Sequence, residues 1–171
     1  VREIYYTGIG SRECPEDVIQ IMEKIGEILA KKGYVLRSGG ANGADSAFEK
    51  GCDRAKGKKE IYLPWKGFNN NSSLLYDLTT RAEELAFQYH PNLYACKSAV
   101  IKLMTRNTYQ ILGKDCRTKS DFVVCYTADG KASGGTGQAL RIAIAEKIPI
   151  FNLHEKENLN KMKDFVNQLI N

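Results

Sequence analysis

Apolar residues in this chain fall into short unbroken runs that alternate with longer stretches spaced by three and four. Ile4 to Thr7 is an apolar and aromatic run that stops at Gly8, Gly10 and Ser11, which predicts a strand passing into a tight loop. Val18, Ile19, Met22, Ile25, Ile28 and Leu29 then recur at helical spacing, and Lys31, Lys32 and Gly33 close that helix with a basic last turn and a glycine. Tyr34 to Leu36 predicts a second strand, ended by Ser38, Gly39 and Gly40. A helix follows from Asn42 or Gly43 through Ala44, Ala47 and Phe48 to about Gly51. Ile61 to Leu63 predicts a third strand, stopped by Pro64. Trp65 to Ser73, with Gly67 and three consecutive asparagines, reads as a loop. Helical patterns cover about Leu74 to Tyr89, break at Pro91 and resume from Ser98 to Leu112. Phe122 to Tyr126 is uninterrupted and apolar, the pattern of a strand covered on both faces. A helix carrying Ala139, Leu140, Ile142, Ala143 and Ala145, a last strand from Ile148 to Leu153 and a final amphipathic helix over Leu159 to Leu169 complete the map.

A strand, loop, helix rhythm requires parallel strands, because each crossover carries the chain back over the sheet. The expected class is therefore α/β, an open, doubly wound, mostly parallel sheet of about five strands, Rossmann-like. At 171 residues the chain has the length of one domain, 1–171, with a loop and helical insertion around 65–97. A composition 43% hydrophobic and 26% charged, with 15 Gly and 4 Pro, excludes disorder and low-complexity classes. The five cysteines include no CxxC pair and the two histidines are far apart, which excludes a zinc framework and a secreted disulfide scaffold. No metal and no cofactor are expected. No apolar run reaches the ~18 residues of a membrane helix and the start lacks the core of a signal peptide, so a cytoplasmic location is expected. Lys plus Arg exceeds Asp plus Glu by 25 to 20, and the resulting +5 permits a nucleotide or nucleic-acid partner without demanding one.

Three glycine-rich loops, Gly8 to Ser11, Ser38 to Gly43 and Gly134 to Gly137, each follow a predicted strand and precede a predicted helix. In a parallel sheet such loops share one edge and can meet over one crevice, where helix N-termini and close backbone approach suit a phosphate. The candidate binding residues are Gly8, Gly10, Ser11, Arg12, Ser38, Gly39, Gly40, Asn42, Gly134, Gly135, Thr136 and Gly137, with Arg37 as a further source of charge. Glu13 stands where a dinucleotide fingerprint needs its third glycine, and the second strand ends in Arg37 and Ser38 with no obvious acid to hold an NAD ribose, which argues against a dehydrogenase. Gly51 to Lys58 has five residues between its glycines and is followed by Lys59, which excludes a Walker loop. Asp45 and Glu49 lie four apart on one helix face. They suit ribose hydroxyls, or general-base or nucleophilic work at a glycosidic carbon, although Glu49 also reads as a solvent-facing residue. Trp65 and Phe68 offer stacking surfaces for a base. Arg106, Asn107 and Gln110 lie on the helix before the central strand, where Arg106 and Gln110 share a face, and the three either line the crevice or meet water.

Gly10-Ser11-Arg12 and Ser38-Gly39-Gly40-Ala41-Asn42-Gly43-Ala44-Asp45 together resemble the Rossmann-like domain of DNA-processing protein A. Gly134-Gly135-Thr136-Gly137 resembles the phosphate loop of the Lonely Guy phosphoribohydrolases, and the two families share one superfamily. The first two motifs look closest to its small stand-alone members, many of them phage-encoded. The resemblance, over roughly Tyr5 to Leu153, implies a nucleotide-derived ligand held at the strand ends. In the phosphoribohydrolases the loop continues GGxGTxxE and its glutamate takes part in cleavage. Here the threonine position is Gln138 and the glutamate position is Arg141, a guanidinium where that chemistry needs a carboxylate. The leading expectation is therefore a binding protein that senses or sequesters a nucleotide-derived small molecule. The alternatives are a nucleotide N-glycosidase using Asp45 or Glu49, with Asp121 as a further carboxylate, and a single-stranded nucleic-acid binder. A closed homodimer is expected on general frequency, with no membrane partner.

Overall fold

In the computed structural model, which describes residues 2–171, the segment Tyr5–Gly10 forms β1 and runs further than the apolar pattern indicates. Gly8 and Gly10 do not end the strand. They pair with Val124 and Tyr126 inside the sheet. Their missing side chains serve packing, because a Cβ on Gly8 would lie 2.6 Å from the Phe48 ring and one on Gly10 would lie 2.8 Å from the Ala44 Cβ.

The remaining elements are α1 (Glu16–Lys31), β2 (Val35–Ser38), α2 (Ala44–Arg54), β3 (Lys59–Ile61), α3 (Thr80–Tyr89), α4 (Ser98–Leu112), β4 (Phe122–Tyr126), α5 (Gly134–Ala145), β5 (Ile150–Asn152) and α6 (Lys156–Ile170). All five strands are parallel, in the order β3-β2-β1-β4-β5. The chain winds outward from β1 in one direction and from β4 in the other, so the order reverses between these two strands. The crevice at their carboxyl ends is where such sheets hold ligands.

Alternation along the strands separates two cores. Tyr6, Leu36 and Val124 face α1, α2 and α6, where they meet Met22, Leu29, Phe48 and Met162. Ile9, Val123 and Cys125 face the other layer and meet Ile111, Leu140 and Ile142. Helices α1 and α2 cross with their backbones almost touching. A Cβ on Gly51 would fall 2.0 Å from the Glu23 carbonyl oxygen, and one on Gly26 would fall 2.6 Å from that of Phe48.

The sequence map misplaces the middle of the chain. Residues 74–79 are not helical, because Leu75 bridges Tyr62 and the Leu75 carbonyl accepts the Leu63 N–H, extending the sheet edge. Helix α3 starts only where the Thr79 hydroxyl can cap it by accepting the Ala82 N–H at 3.2 Å. Among the described residues no helix is long and apolar enough to cross a membrane.

Candidate functional site

Where β1 and β4 diverge, a crevice of about 470 Å³ opens at the carboxyl edge of the sheet. Its walls come from four places in the chain: Gly10 to Glu13 after β1, Ala41 and Asp45 at α2, one face of α4, and the loop and first turn of α5 from Ser133 to Thr136. Ile9, Thr127, Ala128 and Phe68 complete the lining.

Of the crevice walls, the first turn of helix α5 leaves the most backbone donors without acceptors. Gly137 donates its N–H to the Ser133 carbonyl, but the amides of Gly134, Gly135 and Thr136 have no hydrogen-bond acceptor among the described residues. Ser133, the residue before the helix, does not cap it. Its hydroxyl donates to Asp129 at 2.7 Å instead. Three free N–H groups and the positive end of the helix dipole therefore face the crevice.

The loop after β1 contributes differently from what the sequence suggests. The Ser11 N–H donates to the Tyr126 carbonyl at 2.9 Å, and its hydroxyl accepts the Glu13 N–H at 3.1 Å. This loop is thus held by its own bonds, and Arg12, exposed at the mouth, is what it offers to an anion.

On the floor, Asp45, Arg106 and Gln110 crowd around Gly39. A Cβ there would lie 2.1 Å from the Gln110 amide nitrogen, 2.7 Å from an Arg106 nitrogen and 2.9 Å from an Asp45 oxygen. The Arg106 guanidinium donates to the carbonyls of Gly39 and Tyr62 and, through Nε, to Asn107 Oδ1. Asn107 in turn donates to the Gly135 carbonyl at 2.9 Å, which ties α4 to the first turn of α5. Burial lowers the Arg106 value to about 10, partly countered by Asp45, so it stays a cation at neutral pH.

Burial pushes the Asp45 carboxyl up from 3.8 to about 6, against the pull of Arg106 and of the Ala41, Gly10 and Gly39 amides. Between about pH 4 and 6 the native protein therefore keeps a proton that the unfolded chain has released. The resulting stabilisation is complete below about pH 4 and lost as pH rises through 6. Two pKa units correspond to about 3 kcal/mol. Urea unfolding is expected to show wild type losing about that much stability relative to Asp45→Asn between about pH 4 and about pH 7.5. A difference that does not change with pH would contradict a proton held on this buried carboxyl.

The structure brings Gly10, Ser11, Arg12, Asp45, Gly134, Gly135 and Thr136 into the lining and leaves other candidates outside it. Ser38 is fully buried and its hydroxyl donates to the Gly8 carbonyl at 2.6 Å, so it joins β2 to β1. Gly8 lies under Phe48, Gly39 and Gly40 behind the lining, and Gly137 against Ala132. Asn42 accepts the Asn69 amide at 2.8 Å. Trp65 is exposed and edge-on to Phe68, and Phe68 is the aromatic that reaches the crevice. Arg37 points the other way. It pairs with Glu60 at 3.0 Å, donates to the Thr118 carbonyl and lies over the Tyr5 ring. Glu49 pairs with Lys59 and accepts from Asn71, outside the crevice. Asp121 accepts from Arg2 and the Tyr5 N–H at the amino end of the sheet. Arg141 bonds the Tyr89 carbonyl and Gln138, joining α5 to α3.

The lining also holds Ile9, Glu13, Ala41, Leu103, Met104, Thr127 and Ala128, none of which the sequence marked as a ligand contact. The α4 residues had a readable signal. Thr105 to Thr108 are four consecutive polar positions, with Gln110 one residue further on, and they wrap the helix, so water alone cannot take them all, and all are buried.

Residues 4–86 match the model of the SLOG cluster4 family, a span that includes the loops after β1 and β2 but neither α4 nor α5. A stretch of 58 residues is 40% identical to an uncharacterized protein of Archaeoglobus fulgidus. It covers 34% of this chain and 38% of that relative. DNA processing protein A from Helicobacter pylori, whose solved structure concerns its single-stranded DNA binding mode, superposes with a TM-score of 0.59 at 22% identity, over 98% of this chain and 80% of that one. The Moco carrier protein of Chlamydomonas rheinhardtii superposes with a TM-score of 0.53 at 18% identity, over 88% and 75%. At these identities the two structures are similar in fold.

Proposed function

We propose, from the premise that this chain is a Rossmann-like member of the SLOG superfamily, that it binds a nucleotide-derived small molecule in the β1/β4 crevice and acts by sensing or sequestering it. One observation carries this reading: the free amides of Gly134, Gly135 and Thr136 open onto the same crevice as Arg12 and Arg106. A phosphate there would gain charge-assisted hydrogen bonds from backbone and guanidinium together. Asp45 would then accept from a ribose hydroxyl, and Phe68 would offer an apolar surface to a base. Isothermal titration with mono-, di- and cyclic nucleotides is expected to find at least one that binds below about millimolar concentration. No binding by any of them would count against the proposal. Affinity for single-stranded DNA that exceeds every nucleotide and falls steeply with salt would favour an extended nucleic-acid ligand instead.

A second reading, cleavage of the bond between base and ribose, is favoured by Asp45 alone, a buried carboxyl in the lining that holds its proton to about pH 6. It requires free base to appear when nucleotides are incubated with the protein, at a rate abolished in Asp45→Asn. Chromatography showing no free base would leave binding as the activity.

A further inference from the structure

Gln110 stands in an unusual position among the polar residues of α4. Its residue is 3% exposed, it lines the crevice, and no protein group among the described residues hydrogen-bonds its side-chain amide. Its neighbours are all engaged: Arg106 on two carbonyls and Asn107, and Asn107 on the Gly135 carbonyl. Nor is Gln110 loosely placed. The Thr7 and Ser120 hydroxyls both donate to its backbone carbonyl and fix the end of α4 on the sheet. The amide is not sealed off, because among the described residues the Tyr6 hydroxyl is the only buried polar side-chain atom without a partner, so Gln110 presents an amide that no protein group engages to whatever fills the crevice.

Charge limits what can meet that amide. Asp45 and Arg106 both approach the same point beside Gly39. A second anion on the floor would face the Asp45 carboxyl, and a cation would face the guanidinium. A neutral group that both donates and accepts would be opposed by neither and could satisfy Gln110 at both of its ends. Leu103, Met104 and Phe68 lie in the same lining and offer apolar contact to the rest of such a ligand.

We infer that the crevice floor is a subsite for an uncharged ligand group with adjacent hydrogen-bond donors and acceptors, and that Gln110 selects it. This rests on the reading that the α5 amides take the ligand's anion. The shared chemistry fits two sources: the vicinal hydroxyls of a ribose and the amide-like edge of a purine. Gln110 is thereby a specificity residue, since a site built to pair a polar group discriminates against the analogue that lacks it.

The test is calorimetric titration of wild type and Gln110→Met with inorganic phosphate, ribose 5-phosphate, 2-deoxyribose 5-phosphate, AMP, GMP, adenosine and guanosine. In wild type alone, at least one organic phosphate is expected to bind about tenfold or more tightly than inorganic phosphate. Gln110→Met, close in volume and free of the amide, is expected to erase that gain while leaving inorganic phosphate within about twofold. A ribose over deoxyribose preference that vanishes in the variant identifies the diol. A loss confined to AMP or GMP identifies the base edge. The inference is overturned if the gain survives in Gln110→Met, or if no organic phosphate exceeds inorganic phosphate while inorganic phosphate binds. Nucleosides that bind in a Gln110-dependent manner with no benefit from phosphate would sink the anion reading and keep the floor. Failure of every probe would overturn both.

Discussion

Gly135→Asp is expected to weaken binding of any phosphorylated ligand by at least about a hundredfold, or about 2.7 kcal/mol, without weakening the fold. Nothing lies within 4 Å of a Cβ built on Gly135 and its backbone needs no left-handed conformation, so a side chain is accommodated. An acidic residue in the first turn of α5 complements the helix dipole, a gain of about 0.3–1 kcal/mol. The same carboxylate would stand beside three N–H groups that otherwise have no acceptor. Two like charges about 4 Å apart near a protein surface repel by about 4 kcal/mol, more than enough for the stated loss. Gly135→Asn has the same shape without the charge and is expected to lose only about tenfold, which separates repulsion from bulk. Thermal unfolding and titration on the same samples check both halves. A variant that binds as wild type does would remove α5 from the site.

The largest effect on stability is expected at the crossing of α1 and α2. Gly51→Ala places a methyl 2.0 Å from the Glu23 carbonyl oxygen and 2.9 Å from the Glu27 nitrogen, both backbone atoms that cannot swing aside. Alanine favours the helix by about 1 kcal/mol over glycine. Forcing two packed helices apart costs more, and a net loss of about 3 kcal/mol is expected. For a chain of this size that lowers the melting temperature by roughly 10 °C. Calorimetry or circular dichroism would detect it, and a melting point unchanged within about 2 °C would show that the helices do not pack so closely. Because α2 carries Asp45, the same variant is expected to weaken ligand binding as well.

Both glycines were legible as glycines, but not for the right reason in every case. Gly8 and Gly10 read as loop formers because the sequence cannot show that Phe48 and Ala44, some forty residues away, sit on the strand at those points. The limits of α4 and β4 followed from the pattern of apolar residues, which recur at helical spacing in the first and are unbroken in the second, although α4 is buried all round from Met104 to Leu112. The 74–79 segment did not, although 65–73 is the loop its glycine and asparagines indicate. Its apolar residues Leu74 and Leu75 suited a helix, and only the pairing of Leu75 with the edge of the sheet, a contact distant in sequence, decided otherwise.

Site residues divide along the same line. That the first turn of α5 and Asp45 come to the same edge of the sheet was readable from loop position and helix spacing, and both line the crevice. Ser38 and Arg37 were misjudged because a hydroxyl or guanidinium at a strand end can face the ligand edge or the neighbouring strand, and here Gly8, Thr118 and Glu60 claim them. Gln110 and Arg106 could be placed on one helix face, but which way that face pointed required the docking of α4 on β1 through Thr7.

The central claim is that a phosphorylated ligand meets the protein at the first turn of α5, between β1 and β4. The most direct measurement is an amide nitrogen–proton NMR titration with a nucleotide that binds in calorimetry. The account predicts that the Gly134, Gly135 and Thr136 resonances shift first and furthest, followed by those of Gly10 and Arg12. Shifts concentrated on the opposite edge of the sheet, or on the α1 and α6 surface with the α5 amides unmoved, would contradict it.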